Sequence, residues 1–267
     1  MINVFFDVDG CLIGHDYNPN IDPIIFGAKM NVLSKEGYIF HINSNRSIED
    51  LIEIYEEFGF NGEMIIENGT SCYNPKTGKS QSYGFETFDR SKLFVALENS
   101  LSEVSFVKTN KLIKDPVKFV RFFKDKDEKK YFCEETRKYT MTIYPRLLKN
   151  SLLFFNQELL DDTLKKLVQI FPDYTAETGL DYGNILLVPR NAHKGSLMSK
   201  VANSGKIVSF GDGEADISMF QISDFCGAPK NSGDKVKKKV QDLQGYVSPF
   251  KFTKGAYDFL LNISRKF

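Results

Sequence analysis

The sequence predicts an α/β fold: an open parallel sheet interrupted by an inserted α+β domain. Three observations point there. Short apolar runs without polar alternation occur near both ends of the chain, as in strands buried on both faces. Segments with helical spacing separate those runs, the order expected of crossover connections. Between residues 85 and 187 the alternation gives way to strands and helices in mixed order. Residues 1–84 and 188–267 therefore read as one core, and 85–187 as a separate domain.

The elements follow in chain order. Ile2 to Phe6 is an apolar run that ends abruptly at Asp7-Val8-Asp9-Gly10. Apolar positions at helical spacing fill Ile24 to Lys35, and Gly37 ends them. Tyr38 to Ile42 is a second strand. Ser47, with Asp50 three residues on, is placed to cap a helix over Ile48 to Phe58. Met64 to Glu67 is a third strand, and Ser71 to Tyr83 reads as a hairpin around Pro75-Lys76-Thr77-Gly78. In the insertion a helix is expected over Ser91 to Val104 and an amphipathic one over Gln157 to Phe171. Strands are expected over Lys118 to Phe123, Met141 to Tyr144, Ser151 to Phe155, Tyr174 to Glu177 and Asn184 to Val188. The parallel rhythm then returns. A helix over Gly195 to Asn203 leads to a buried strand over Lys206 to Phe210. A short helix over Ile217 to Ile222, a strand over Phe225 to Ala228 and helices over Asp234 to Leu243 and Gly255 to Ile263 complete it.

Composition narrows the class. Hydrophobic residues make up 42% of the 267, enough for a proper core. Basic and acidic side chains balance at 35 each, which favours neither nucleic acid nor an anionic membrane as partner. Cys11, Cys72, Cys133 and Cys226 lie far apart and form no Cys-x-x-Cys. No apolar run approaches the ~18 residues of a membrane span. The N-terminal segment lacks a basic n-region and meets Asp7 early, unlike a signal peptide. A cytoplasmic protein with reduced thiols is expected.

Four short segments carry chemistry. Asp7 and Asp9 follow a buried strand directly, and residues i and i+2 point the same way. Both carboxylates then face the carboxyl edge of the sheet, where open α/β sheets bind ligands. Two such groups repel unless a cation or a proton sits between them, so metal or acid/base work is expected, a structural turn being the alternative. Asp125-Lys126-Asp127 has the same spacing in a lysine-rich polar run and reads as surface. Gly211-Asp212-Gly213-Glu214-Ala215-Asp216 also follows an apolar strand. Its carboxylates suit a hard cation such as Mg2+, or alternatively the cap of the next helix. Ser44, with the N–H groups of Asn45 and Arg46, suits an anion-binding turn or a plain cap. Lys194 could neutralise a phosphate or simply be exposed. His41, in a buried strand, reads as a packed, hydrogen-bonded residue. His15 lies in the loop after the first motif, where it could line a cleft.

Taken together, FFDVDGCL (5–12), INSNR (42–46), HKG (193–195) and GDGEADISMF (211–220) resemble the haloacid dehalogenase superfamily of phosphotransferases. The insertion between the second and third segments resembles the subfamily with a C2-type (IIB) cap, the Cof-like and sugar-phosphate phosphatases. Glu67-Asn68-Gly69-Thr70 and Lys254-Gly255-Ala256 look like that subfamily too. The resemblance implies a Rossmann-like core with an α+β cap. It makes Asp7 the nucleophile of an aspartyl-phosphate intermediate and Asp9 the general acid/base. Mg2+ would sit on Asp7, Asp212 and the backbone carbonyl of Asp9, supported by Asp216, with Ser44, Asn45 and Lys194 on the phosphoryl oxygens. Two positions depart from the pattern. Cys11 stands where many relatives have Thr, and Ala215 where the subfamily usually has Asn.

The expected function is Mg2+-dependent hydrolysis of a small phosphate monoester, a sugar phosphate by resemblance. The alternatives are a phosphomutase and a non-catalytic phosphometabolite-binding protein, which Ala215 would favour. Residues 108–149 carry 13 basic and 6 acidic side chains, either attracting an anionic metabolite or forming a solvated outer face. The sequence does not indicate an oligomeric state.

Overall fold

The computed structural model describes residues 1–14, 16–108, 118–119, 127–179 and 183–267. His15 and most of Asp125-Lys126-Asp127 lie outside the described residues, as does the strand expected over 118–123 beyond its first two positions. The chain forms two compact units, Met1–Gly84 with Ala192–Phe267, and Phe85–Asn191.

The first unit opens with β1 (Ile2–Phe6), α1 (Pro23–Lys35), β2 (Tyr38–Asn43), α2 (Ile52–Phe58), β3 (Met64–Ile66), β4 (Ser71–Asn74) and β5 (Lys79–Ser82). Asp22 caps α1 by accepting from Ile24 N, and Pro23 fits its first turn. The helix after β2 begins at Ile52 rather than Ile48. Residues 48–51 form a bend and turn, and Ser47 Oγ donates to the Asp50 carboxylate at 3.5 Å.

The second unit holds α3 (Arg90–Leu97), β6 (Ser102–Val107), β7 (Lys118–Phe119), β8 (Glu128–Glu134), β9 (Met141–Lys149), β10 (Leu152–Phe155), α4 (Gln157–Ile170), β11 (Tyr174–Gly179) and β12 (Asn184–Pro189). The helix expected over Ser91 to Val104 stops at Leu97. Ser102 Oγ donates to Leu97 O, and Asn99 Oδ1 accepts from Leu101 N, so local side chains turn the backbone and residues 102–107 become a strand. β8 went unread because its run EKKYFCE lacks an uninterrupted apolar core. β9 pairs with β8, β10 and β12, all antiparallel, while β6 pairs parallel with β8. The amphipathic α4, capped by Asn156 on Leu159 N, buries Leu160 and Leu167 against this sheet.

The first unit resumes with α5 (Met198–Ala202), β13 (Lys206–Phe210), α6 (Ile217–Phe220), β14 (Phe225–Ala228), α7 (Asp234–Asp242), β15 (Tyr246–Val247) and α8 (Phe252–Lys266). Its eight strands run β15-β14-β13-β1-β2-β3-β4-β5, parallel except for the β3-β4-β5 hairpins. β1 lies between β2 and β13 and is buried on both faces. Val4 and Phe6 pack with Phe26 of α1 and Phe259 of α8, whereas Phe5 packs in the opposite layer with Met198 and Met219. That period-two division makes three layers, helices on both sides of the sheet.

His41 is the polar exception in β2. It stacks on Phe5 with ring centroids 4.5 Å apart, its Nδ1 accepts from Glu63 N at 2.9 Å, and its Nε2 meets Asn3 Oδ1 at 3.3 Å. Burial holds its pKa down at about 3. In the unfolded chain it titrates near ~6.5. Between those values the unfolded state binds the extra proton, so acidification through that window removes stability. Compared with His41→Gln, the wild type should lose an additional ~2–3 kcal/mol between neutral pH and about pH 4.5, measured by urea denaturation. Parallel pH curves for the two proteins would refute this.

Candidate active site

The parallel strands deliver the site residues at one edge. Asp7 follows β1 and donates its N–H to Phe210 O at 2.9 Å, which ties the first motif to the end of β13. Gly211 and Asp212 follow that end. Gly10 then brings the turn after Asp9 against Asp212. Its φ is +73°, and a β-carbon there would lie 2.0 Å from Asp212 Oδ2, so only glycine fits.

Lys194 joins these segments. Its Nζ lies 2.7 Å from Asp7 Oδ1 and 2.7 Å from Asp216 Oδ1, with all three residues buried. Asp216 Oδ2 accepts the N–H groups of Asp212 and Gly213, each at 2.9 Å. Asp216 thus shapes the loop that presents Asp212, and its side chain does not cap the short helix behind it. Asp7, Asp212 and Cys11 each offer a ligand atom within 4.8 Å of the others. Cys11 Sγ itself sits 3.9 Å from Asp212 Oδ1.

The remaining expected residues are placed differently. The side chain of Asp9 is about half exposed, and both its oxygens are held by Arg46, Nε at 2.9 Å and Nη2 at 2.7 Å. Strand geometry ends at Phe6, and the turn that begins at Val8 sends Asp9 outward. Ser44 is buried at the end of β2. Its Oγ accepts from Arg46 N at 3.3 Å, so it caps its own turn, and half-buried Asn45 lies within that turn.

Two contributors escaped the sequence. Arg46 sits over the Tyr17 ring, 5.6 Å from its centroid, and grips Asp9. Only its place in the INSNR segment hinted at it. Asn231 donates to Gly10 O at 2.9 Å and to Asp212 Oδ2 at 3.4 Å, and its Oδ1 accepts from Phe252 N at 2.9 Å. These partners are remote in sequence, so no local pattern announced it.

Electrostatics explains what the arrangement can accept. Burial, and next the Asp216 charge, raise the Asp7 carboxyl well above its ordinary range, with Lys194 opposing. Burial, then Asp216, push Asp212 up to about 7. Burial alone would lower Lys194, but Asp216 and Asp7 outweigh it and hold the ammonium charged. Three acidic groups therefore share one lysine. A cation between Asp7 and Asp212 would relieve that excess, and two hard carboxylate donors fit a divalent ion such as Mg2+.

The family model for haloacid dehalogenase-like hydrolases matches residues 4–248. The chain belongs to the haloacid dehalogenase-like hydrolase family. Solved structures agree on the fold. A haloacid dehalogenase-like hydrolase from Bacteroides thetaiotaomicron superposes with a TM-score of 0.67 at 13% identity, covering 98% of both chains. A Thermotoga maritima protein gives 0.66 at 19% identity, covering 97% of this chain and 96% of its own. A sugar phosphatase described as subclass IIB gives 0.63 at 14%, covering 99% of both. No curated protein matches the sequence. No described helix is long and apolar enough to cross a membrane.

In this haloacid dehalogenase-like hydrolase, Lys194 is the counter-charge of two buried carboxylates. Replacing it with methionine should lower stability by about 3–5 kcal/mol at neutral pH, because Asp7 and Asp216 would be left without it. The loss should shrink on acidification as Asp7, whose carboxyl burial already raises, takes up a proton. Urea denaturation at two pH values measures this, and an equal loss at both would contradict the electrostatic account.

Proposed function

We propose that the protein is a Mg2+-dependent phosphomonoester hydrolase acting on a small phosphorylated metabolite, a sugar phosphate by analogy with its subclass IIB neighbour. The observation that carries this reading is the buried Asp7 carboxylate, with Lys194 Nζ on one oxygen and Asp212 beside it. Another neighbour comes from a study of phosphoryl-transfer intermediates in a superfamily, which supports the same reaction class.

In this proposal a carboxylate oxygen of Asp7 attacks phosphorus, and the bond to the leaving oxygen breaks. Asp9 supplies the proton to that oxygen, and later takes one from the water that hydrolyses the aspartyl-phosphate. Lys194 and Ser44, with the N–H groups of its turn, hold the phosphoryl oxygens. Bound Mg2+, on Asp7, Asp212 and the Asp9 carbonyl, would supply charge screening between carboxylate and substrate. A carboxylate gripped on both oxygens by a guanidinium is a poor acid, so Arg46 must leave Asp9 when substrate arrives. The phosphate itself is a competing partner for Arg46. Catalysis is assigned to the core unit and leaving-group selection to the inserted one, as a cap. A cytoplasmic location is part of the same reading.

A second reading, a phosphometabolite-binding protein without turnover, is favoured by Ala215 and by the hold of Arg46 on Asp9. Turnover of p-nitrophenyl phosphate with Mg2+ decides between them. The wild type should release inorganic phosphate, and Asp7→Asn should be slower by at least about 10³-fold. Equal rates in the two would remove Asp7 as nucleophile. An inert wild type across a panel of phosphate esters would favour the binding reading, and retention of the phosphoryl group on an isomeric product would indicate a mutase.

A further inference from the structure

Two buried asparagines lie beneath the site without a part in the reaction described above. Asn43 ends β2 and has no exposed surface, and Asn68 sits in the turn after β3 at 7% exposure. Both direct amide N–H groups at the segment that carries Lys194. Asn43 Nδ2 donates to Lys194 O at 2.8 Å, and Asn68 Nδ2 donates to Ala192 O at 3.3 Å. Both also adjoin the Ser44 turn. Asn43 precedes Ser44 in the chain, and the backbone N–H of Asn68 donates to Ser44 O at 3.2 Å. Next to it, Glu67 N–H donates to Arg46 O at 3.0 Å. The two candidate phosphate anchors, on loops about 150 residues apart in sequence, thus share one pair of supports.

The local backbone is shaped for this contact. Glu67, Asn68 and Gly69 have φ values of 46°, 60° and 84°, three left-handed residues in succession. Such a conformation is unfavourable for most L-residues, and asparagine is among those that tolerate it best. Gly69 admits no side chain, since a β-carbon would lie 2.2 Å from His193 O. Asn43 Oδ1 and Asn68 Oδ1 are buried and meet no hydrogen-bond donor among the described residues. Apolar residues of similar shape would avoid that loss. Packing alone gives no reason for strained backbone and two half-used amides at this spot. Holding two carbonyls of the 192–194 segment at a fixed distance from Ser44 does.

We infer that Asn43 and Asn68 are positioning residues that clamp the Lys194 segment to the Ser44 turn. The inference rests on the phosphoryl-transfer reading above. A transferring phosphoryl group needs its donors in place together, and a displacement near 1 Å lowers the rate by up to about a hundredfold.

Asn43→Ala and Asn68→Gly test this. The second keeps the left-handed turn and the backbone bond to Ser44 while deleting the side-chain tie. Each is assayed with p-nitrophenyl phosphate and Mg2+ below its own melting temperature, beside the wild type and Asp7→Asn. The clamp predicts a kcat lower by about 10- to 100-fold, with KM moved less than about threefold. Orthovanadate, which mimics the transferring group, should inhibit about tenfold more weakly. A purely structural role would lower the melting temperature and leave both constants unchanged in the folded protein. Should Asn43→Ala prove too unstable, the isosteric Asn43→Asp sets an acceptor against Lys194 O and should show the same losses. Folded variants with kcat and vanadate inhibition within about twofold of wild type would overturn the clamp alone, given an active wild type and an inert Asp7→Asn. An inert wild type, or an Asp7→Asn variant as active as wild type, would bring down the functional reading and the clamp with it.

Discussion

The double contact of Lys194 with Asp7 and Asp216 is the constraint from which the rest of the site follows. An ammonium buried this deeply is several kcal/mol unfavourable unless carboxylates meet it. Both do, at 2.7 Å. Asp216 is then committed, and its second oxygen collects the N–H groups of Asp212 and Gly213. The loop after β13 has little freedom left, so Asp212 stands where Gly10 and Asn231 also hold it. One ion-pair geometry thereby fixes three loops against each other, although the chain returns to Lys194 only after the whole second unit.

The sequence made the strand-end carboxylates legible because their strands are legible. Ile2–Phe6 and Lys206–Phe210 end in buried apolar residues, and the acids that follow stand out by position. Strand parity alone does not describe Asp9, since the turn after Val8 has begun there and its side chain is about half exposed and paired with Arg46. Sequence pattern also ran a helix through residues 98–104, where Ser102 and Asn99 turn the backbone by bonds that compete with helical ones. The side-chain roles of Arg46 and Asn231 were not legible for a different reason. Their partners lie 37 and 221 residues away, and no local period encodes such distances. The Glu67-Asn68-Gly69 run lies between. Asn-Gly suggests a turn, but only the backbone shows three left-handed residues gathered under the Ser44 loop.

Charge bears on how the proposed reaction would use this arrangement. Lys194 is already matched by two carboxylates, so its positive charge is spoken for before any phosphate arrives. With Asp212 added, the interior carries an acidic surplus that adds to burial, the larger cause, in raising the Asp7 and Asp212 carboxyls. A phosphate dianion would be repelled by such a site. In the proposed reaction the surplus becomes useful only when a divalent cation neutralises it, which makes cation and anion binding mutually dependent. Arg46 completes the balance from outside. It holds the exposed Asp9, and in the proposed reaction an anion that drew it away would also free the acid assigned to the leaving oxygen.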